Sequence, residues 1–158
     1  MLASHSIQIA SYQHTDEQGQ AIGLPSGKVV CVGRNYMDHI QEMRNQVSDI
    51  PLLFMKPSTA LVDLRELLAI PTNQGECHNE LEVALLIATK MTKVDPEQAS
   101  KGVYGIGLGL DLTLRDEQQR LKQLGQPWER AKAFDGSCPL SPFVLLNPLS
   151  QNDHFRFQ

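Results

Sequence analysis

Two glutamates lie two residues apart in a regular alternation of polar and apolar side chains. Glu80 and Glu82 belong to the segment 80–89, where apolar residues occupy alternate positions, and this period of two predicts a β-strand. Both carboxylates then lie on one face, with Cα atoms ~7 Å apart, and we expect the opposite, apolar face to pack on the core. Like charges this close repel each other, and burial would raise the pKa of at least one. A divalent cation would offset both costs, although two acidic residues alone are more often a solvated strand face.

Asp111 is the residue that most favours a metal site. It lies in a second alternating segment, 103–114, on a face that also carries Gly105, Gly107 and Gly109. Alternate glycines in a strand often mark the close approach of a backbone or a ligand. Three carboxylates from two strands form an all-oxygen set, which suits Mg²⁺, Mn²⁺ or Ca²⁺ better than zinc or copper. The alternatives are an aspartate that caps the next helix and a structural ion site in a non-catalytic binding module.

Three further polar residues could bind an anionic substrate beside such an ion. Arg115 follows Asp111 by four residues, and Gln118 lies one helical turn further on, so these two side chains can share a face. Lys132 is flanked by small and apolar residues, where partial desolvation suits proton transfer or the stabilisation of an oxyanion. Taken singly, such cationic side chains are more often solvated at the surface.

His39 and Glu42 form a candidate acid–base pair. They are three residues apart in the segment 34–47, which has apolar residues at helical spacing. A carboxylate beside an imidazole holds its tautomer and raises its basicity, as a general base requires. Helical neighbours of this kind are also frequent by chance. His78, just before the acidic strand, is either a neighbour of the metal ligands or an exposed residue.

The composition excludes several other classes of protein. The 158 residues are 41% hydrophobic and 20% charged, which is typical of one globular domain and not of a disordered or fibrous chain. No apolar run approaches the ~20 residues of a membrane span, and the start does not resemble a signal peptide, so we expect a cytoplasmic protein without membrane contact. A net charge of −4 disfavours nucleic acid as a partner. Three cysteines without a C-x-x-C motif indicate free thiols.

Short strands and few helices must position these residues. Apolar runs at 28–33 and 52–55 predict two more strands, in addition to the two alternating segments. Helices are predicted over 34–47 and 116–124, and from Pro96 onward. This balance predicts a β-rich α+β architecture.

Five segments resemble the motifs of the fumarylacetoacetate hydrolase family, in the order and spacing of that family. They are V-G-R-N-Y-x-D-H-x-x-E-M at 32–43, F-x-K-P-S-T-A at 54–60, H-N-E-L-E at 78–82, D-L-T-x-R-D-x-Q at 111–118 and G-Q-P-W-x-x-A-K-x-F-D-x-S-C-P at 125–139. The likeness is greatest to the small bacterial and mitochondrial members that act on acylpyruvates and oxaloacetate. The resemblance implies a mixed β-roll, barrel-like fold of that family's C-terminal domain type, and a homodimer.

The resemblance also implies roles for individual residues and an ion, Mg²⁺ or Mn²⁺, while the all-oxygen ligand set leaves Ca²⁺ as a further option. The implied metal ligands are Glu80, Glu82 and Asp111, the implied substrate-binding residues are Arg34, Arg115 and Gln118, and the implied catalytic residues are His39, Glu42 and Lys132. His39 and Glu42 would lie on a mobile lid. We expect residues 1–158 to form a single catalytic domain with an N-terminal segment at 1–27, and the domain of the family to continue beyond residue 158.

The implied substrate is a small anionic keto acid. In the reaction that we rank first, an acylpyruvate of the acetylpyruvate or fumarylpyruvate type is cleaved hydrolytically at a C–C bond. Glu42 would orient His39, which deprotonates the attacking water, while the ion and Lys132 stabilise the enolate that leaves. The same enolate chemistry fits an oxaloacetate keto–enol tautomerase or decarboxylase, which is the alternative. A non-catalytic metal-binding fragment is the alternative from another class.

Overall fold

A computed structural model describes residues 12–33 and 50–146 of the chain. Its elements are the strands β1 (Val29–Gly33), β2 (Leu52–Lys56), β3 (Leu61–Asp63), β4 (Cys77–Ile87), β5 (Val103–Leu114), β6 (Cys138–Leu140) and β7 (Val144–Leu145), and the helices α1 (Pro96–Ser100), α2 (Arg115–Leu124) and α3 (Glu129–Lys132). This confirms the predicted β-rich α+β class. The helix predicted over 34–47 lies outside the described residues.

The strands form two sheets. The larger sheet has the order β3-β6-β5-β4, and β7 also pairs with β5, whereas β1 and β2 form a separate antiparallel pair. The pairing of β3 with β6 is parallel, and the other described pairs of the larger sheet are antiparallel. Because β5 has neighbours on both edges, it is the central strand of the larger sheet, and its residues are mostly buried.

The register between β4 and β5 determines which side chains meet. Glu80 lies opposite Asp111, and Glu82 lies opposite Gly109. Directly opposed residues of antiparallel strands project from the same face of the sheet. The three acidic side chains therefore start from one face, although they come from strands far apart in the sequence.

Alternate glycines in β5 allow the chain segment after residue 138 to pack closely. A Cβ atom at Gly109 would lie 2.9 Å from Cδ2 of Leu140, and one at Gly107 would lie 3.1 Å from Cδ1 of Phe143. The close approach of the chain itself therefore explains these glycines, without the need for a ligand. Leu140 and Phe143 belong to the main apolar cluster, which also contains Leu61 and Leu86.

The expectation that the apolar face of β4 packs on the core is wrong for the described residues. Leu81 is 60% exposed and Leu85 is 54% exposed. The main apolar cluster lies on the other face of the sheet, where Leu86 of the same strand is buried. The period of two is present as predicted, but the core covers the face that also carries the glutamates. Exposed apolar faces of this kind are typical of surfaces that contact further protein.

The cysteines are free thiols, as predicted. Burial is the main factor that raises the pKa of the Cys31 thiol to about 12 and that of Cys138 to about 11, so both are protonated at neutral pH. Neither thiol is therefore an activated nucleophile in this structure. None of the helices in the described part of the chain combines the length and the apolar character that a membrane crossing requires.

His14 adds a pH-dependent contribution to stability. Its buried ring packs edge-on against Tyr12 and Phe143, with centroid distances of 5.0 and 5.6 Å. Burial lowers the pKa of His14 from its ordinary value of 6.5, so the unfolded chain takes up this proton more readily than the folded chain. Stability due to this group is complete above pH 6.5 and falls as the pH decreases toward the folded-state pKa.

We therefore expect the His14→Gln variant to lose less unfolding free energy than the original chain between about pH 7 and about pH 5.5. Urea unfolding at several pH values measures this difference, and glutamine retains a polar group near the Tyr12 hydroxyl, which lies 3.3 Å from Nδ1 of His14. Parallel pH profiles for the two proteins would contradict the assignment, because the other titrating groups are shared.

Candidate active site

The ammonium group of Lys132 is the centre of the candidate site. Its Nζ atom donates hydrogen bonds to Oε2 of Glu80, at 2.8 Å, and to Oδ2 of Asp111. Lys132 is 3% exposed and Asp111 is 7% exposed, so this ion pair is almost removed from water. The ring of Phe54 covers the ammonium group from another side, with its centroid 4.9 Å from Nζ. The desolvated environment predicted for Lys132 is therefore present.

Short local elements place Lys132 against the sheet. It is the last residue of α3, and its backbone N–H donates to the carbonyl of Trp128 at 2.9 Å. Ala131, the residue before it, is completely buried against Leu114 and Leu121. Because this small side chain anchors the helix to the core, the neighbouring lysine is held next to β5.

A second buried lysine, Lys56, lies on the other side of Asp111. Its Nζ atom is 2.9 Å from Oδ1 of Asp111, and the Lys56 side chain is 0% exposed. Lys56 lies in one of the family motifs, but its residue type and spacing did not predict a place in the site. The signal that could have found it is its position at the end of an apolar strand, directly before Pro57, since a lysine between apolar residues needs an internal partner.

Arg115 and Gln118 contact the same cluster from the start of α2. Nη2 of Arg115 donates to Oε1 of Glu80 at 2.7 Å, and Nη1 donates to Oε1 of Gln118 at 2.9 Å. Nε of Arg115 also lies 3.4 Å from Nδ1 of His78. The predicted contact between Arg115 and Gln118 is thus present, and it exists because α2 begins directly where β5 ends. Gly125, in the left-handed conformation with φ 63°, ends this helix.

The charges in the cluster keep the Glu80 carboxylate ionised. Burial tends to raise the pKa of Glu80, but the hydrogen bond and charge of Lys132, together with Arg115, outweigh it and lower the pKa overall. Glu80 is therefore negatively charged at neutral pH. An anion that enters the site must then compete with Glu80 and Asp111 for Lys132 and Arg115.

The side chains of this face offer the carboxylate oxygens that hard cations prefer. Oδ1 of Asp111 is buried, and Nζ of Lys56 lies 2.9 Å from it. Within residues 12–33 and 50–146, no three histidine, cysteine or carboxylate side chains are grouped tightly enough to hold a metal ion. The Lys132 ammonium lies between Glu80 and Asp111, so these two carboxylates already converge on a position filled by positive charge. The predicted metal set stays a prediction, and both oxygens of Asp111 contact ammonium groups in this structure.

Of the remaining predicted residues, the structure describes Glu82. Glu82 is half-buried on the same face of β4, opposite Gly109. Arg34, His39 and Glu42 lie outside the described residues, so the predicted lid and its base stay predictions.

Comparison with known proteins relates this geometry to one family. A family model described as fumarylacetoacetate (FAA) hydrolase C-terminal matches residues 28–154. The oxaloacetate tautomerase YcgM of Escherichia coli (strain K12) is 53% identical over 133 residues, which cover 84% of this chain and 61% of that protein.

Solved structures share the fold. A crystal structure described as that of a fumarylacetoacetate hydrolase family protein from Yersinia pestis CO92 superposes with a TM-score of 0.83 at 49% identity, covering 85% of this chain and 62% of the other. The fumarylpyruvate hydrolase of Pseudomonas aeruginosa, solved in complex with Mn²⁺ and pyruvate, gives a TM-score of 0.77 at 37% identity, with coverages of 85% and 59%. The chain thus spans about three fifths of the length of these proteins. The superpositions confirm the predicted fold over the part that the chain covers.

Proposed function

Because the chain belongs to the fumarylacetoacetate hydrolase family, we propose that it carries the catalytic face of an enzyme that interconverts the keto and enol forms of oxaloacetate. The observation that supports this proposal best is the buried Lys132 ammonium held between Glu80 and Asp111. From the sequence, acylpyruvate hydrolysis is the first prediction, and an oxaloacetate tautomerase or decarboxylase is the alternative. The similarity to a protein named oxaloacetate tautomerase reverses that order.

The proposed reaction moves one proton. A base removes a proton from C3 of oxaloacetate, negative charge develops on the C2 oxygen, and protonation of that oxygen gives the enol. Removal of the enol proton and return of a proton to C3 is the reverse reaction. The protein must therefore stabilise an enolate that carries two carboxylates, which calls for several positive charges in a site with little water.

The described residues can supply this stabilisation. Lys132 can donate to the C2 oxygen as it becomes negative, because its ammonium lies in a site with little water. Arg115 presents a planar guanidinium, which matches a carboxylate, and Gln118 holds it at 2.9 Å. A divalent cation held by Glu80, Glu82 and Asp111 would supply a Lewis acid for the 2-oxo acid group. His39, oriented by Glu42, is our proposed base, and this assignment rests on the sequence alone.

Hydrolysis of an acylpyruvate is the second candidate function. The structural similarity to a fumarylpyruvate hydrolase favours it, and the same enolate would form when the C–C bond breaks. The difference lies in the nucleophile, because hydrolysis needs an activated water and tautomerisation needs only a proton carrier. His39 and Glu42 could serve either purpose.

A substrate panel on the 158-residue chain distinguishes the two functions. We expect faster decay of enol-oxaloacetate absorbance with protein plus Mg²⁺ or Mn²⁺ than with the metal alone, and loss of this effect when a chelator is added. Acetylpyruvate and fumarylpyruvate should be cleaved more slowly than oxaloacetate is tautomerised. Cleavage without tautomerisation would favour the second candidate. Metal binding without either activity would favour a non-catalytic metal-binding fragment. The homodimer, the cytoplasmic location and the identity of the ion stay predictions.

A further inference from the structure

Lys56 has no hydrogen-bond donor left for a substrate. Its Nζ atom donates to the backbone carbonyls of Lys132, of Ser137 at 3.0 Å and of Leu112 at 3.3 Å. It also lies 2.9 Å from Oδ1 of Asp111, and the side chain is 0% exposed. An ammonium group has three protons, and the three carbonyls together with the Ser137 hydroxyl, 3.3 Å away, already exceed that number. Lys56 is therefore enclosed by protein atoms on all sides.

The groups bound by Lys56 come from three separate parts of the chain. Asp111 and Leu112 belong to β5, Lys132 ends α3, and Ser137 lies in the turn before β6. The Ser137 hydroxyl supports the same arrangement, because it donates to the Lys132 carbonyl at 2.9 Å. The buried Lys56 ammonium, at the end of β2, thus links the backbone of Lys132 to the Asp111 carboxylate. The side chain of Lys132 contacts the same carboxylate.

We propose that Lys56 is a positioning residue, which holds the Asp111 carboxylate and the Lys132 backbone in the arrangement that the site requires without contacting the substrate. The inference rests on the proposed function in one respect, namely that Asp111 is a ligand for a divalent cation. It goes beyond that function because it gives the two buried lysines different tasks. Lys56 is permanently enclosed, whereas Lys132 lies where the cation would bind and has to move when the cation arrives.

The two lysines should affect metal affinity in opposite directions. Removal of either ammonium takes one positive charge away from Asp111, and simple electrostatics then predicts tighter binding of a cation in both cases. For Lys132 we expect tighter binding, because its removal also vacates the space between Glu80 and Asp111. For Lys56 we expect weaker binding, because the loss of a fixed Asp111 carboxylate should outweigh the electrostatic gain. Residues that orient a metal ligand typically change metal affinity by about 10–100-fold when they are replaced.

Calorimetric titration with Mn²⁺ alone tests the proposal in the full chain. We expect the Lys56→Met variant to bind Mn²⁺ at least about tenfold more weakly than the original protein, and the Lys132→Met variant to bind it at least as tightly. Lys101→Met is the matched control, because that lysine is exposed and pairs with Glu97 in α1; the affinity of this variant should be unchanged. Thermal melts confirm that each variant is folded. Unchanged or tighter binding by folded Lys56→Met would overturn the proposal.

Two further measurements keep this test separate from the proposed function. If the original chain fails to bind Mn²⁺, the proposed function fails, and crystal structures of the original chain and the Lys56→Met variant decide the role of Lys56. Displacement of the Asp111 carboxylate and the Lys132 carbonyl would support the proposal, and unmoved groups would overturn it.

If Lys56→Met does not fold, Ser137→Ala is the milder variant, since it removes one acceptor of Lys56, 3.3 Å away. We expect it to shift the same two groups, and their unchanged position would likewise overturn the proposal.

Discussion

Replacement of Asp111 with asparagine should lower the turnover of oxaloacetate by about 10²–10³-fold. Asp111 contacts both buried lysines, with Oδ1 beside Lys56 and Oδ2 beside Lys132. Asparagine keeps the shape of the side chain but removes the charge, so Lys132 loses one of its two carboxylate partners. The predicted cation loses a ligand in the same step. Steady-state kinetics with saturating Mn²⁺ and direct Mn²⁺ titration measure the two effects separately.

The same substitution should also reduce stability. Lys56 would remain fully buried without its counter-charge, and removal of one partner from a buried pair typically costs about 3–5 kcal/mol. The double variant Asp111→Asn/Lys56→Met is the control, because it removes both charges. We expect it to be less destabilised than the sum of the two single variants, as coupled neighbours are, and still inactive. A folded Asp111→Asn protein with normal turnover would remove the carboxylate cluster from the mechanism.

The second large effect is expected for Lys132→Met. Turnover should fall by about 10²–10³-fold, because the enolate loses a desolvated positive charge close to its oxygen. Mn²⁺ binding should be retained, which distinguishes this loss from that caused by Asp111→Asn. A decrease in kcat at unchanged KM would indicate that Lys132 acts in the transition state, whereas an increase in KM alone would indicate ordinary substrate binding.

The Lys132→Arg variant provides the matched comparison. It preserves the charge, but the larger planar guanidinium does not fit the space of a buried ammonium that is 3% exposed. We therefore expect only partial recovery of turnover. Equal turnover of the methionine variant and the original chain would exclude Lys132 from the chemistry. The catalytic role would then have to be sought among Arg115 and the residues of the predicted lid.

Much of the secondary structure could be predicted from local patterns. The strand that carries Glu80 and Glu82 follows from its period of two, and the helix after Asp111 follows from its end at Gly125. Side-chain alternation is a property of each strand by itself, so it needs no knowledge of the fold. The motifs also indicated the family, because their order and spacing are visible in one dimension.

Other features depended on contacts between distant segments. The sequence could not show which face of β4 is covered, since a period of two separates the faces without stating where the core lies. It also could not show that Glu80 lies opposite Asp111, because register is decided by the packing of both strands.

Lys56 is the clearest case of a residue that only the tertiary structure assigned. Its partners Asp111 and Ser137 lie far along the chain, and no local periodicity relates them. The residue types, the strand alternation and the family motifs were therefore determined by the sequence itself. The convergence of two lysines on one carboxylate was decided by the three-dimensional fold, because a buried ammonium is stable only where separate segments bring acceptors to it.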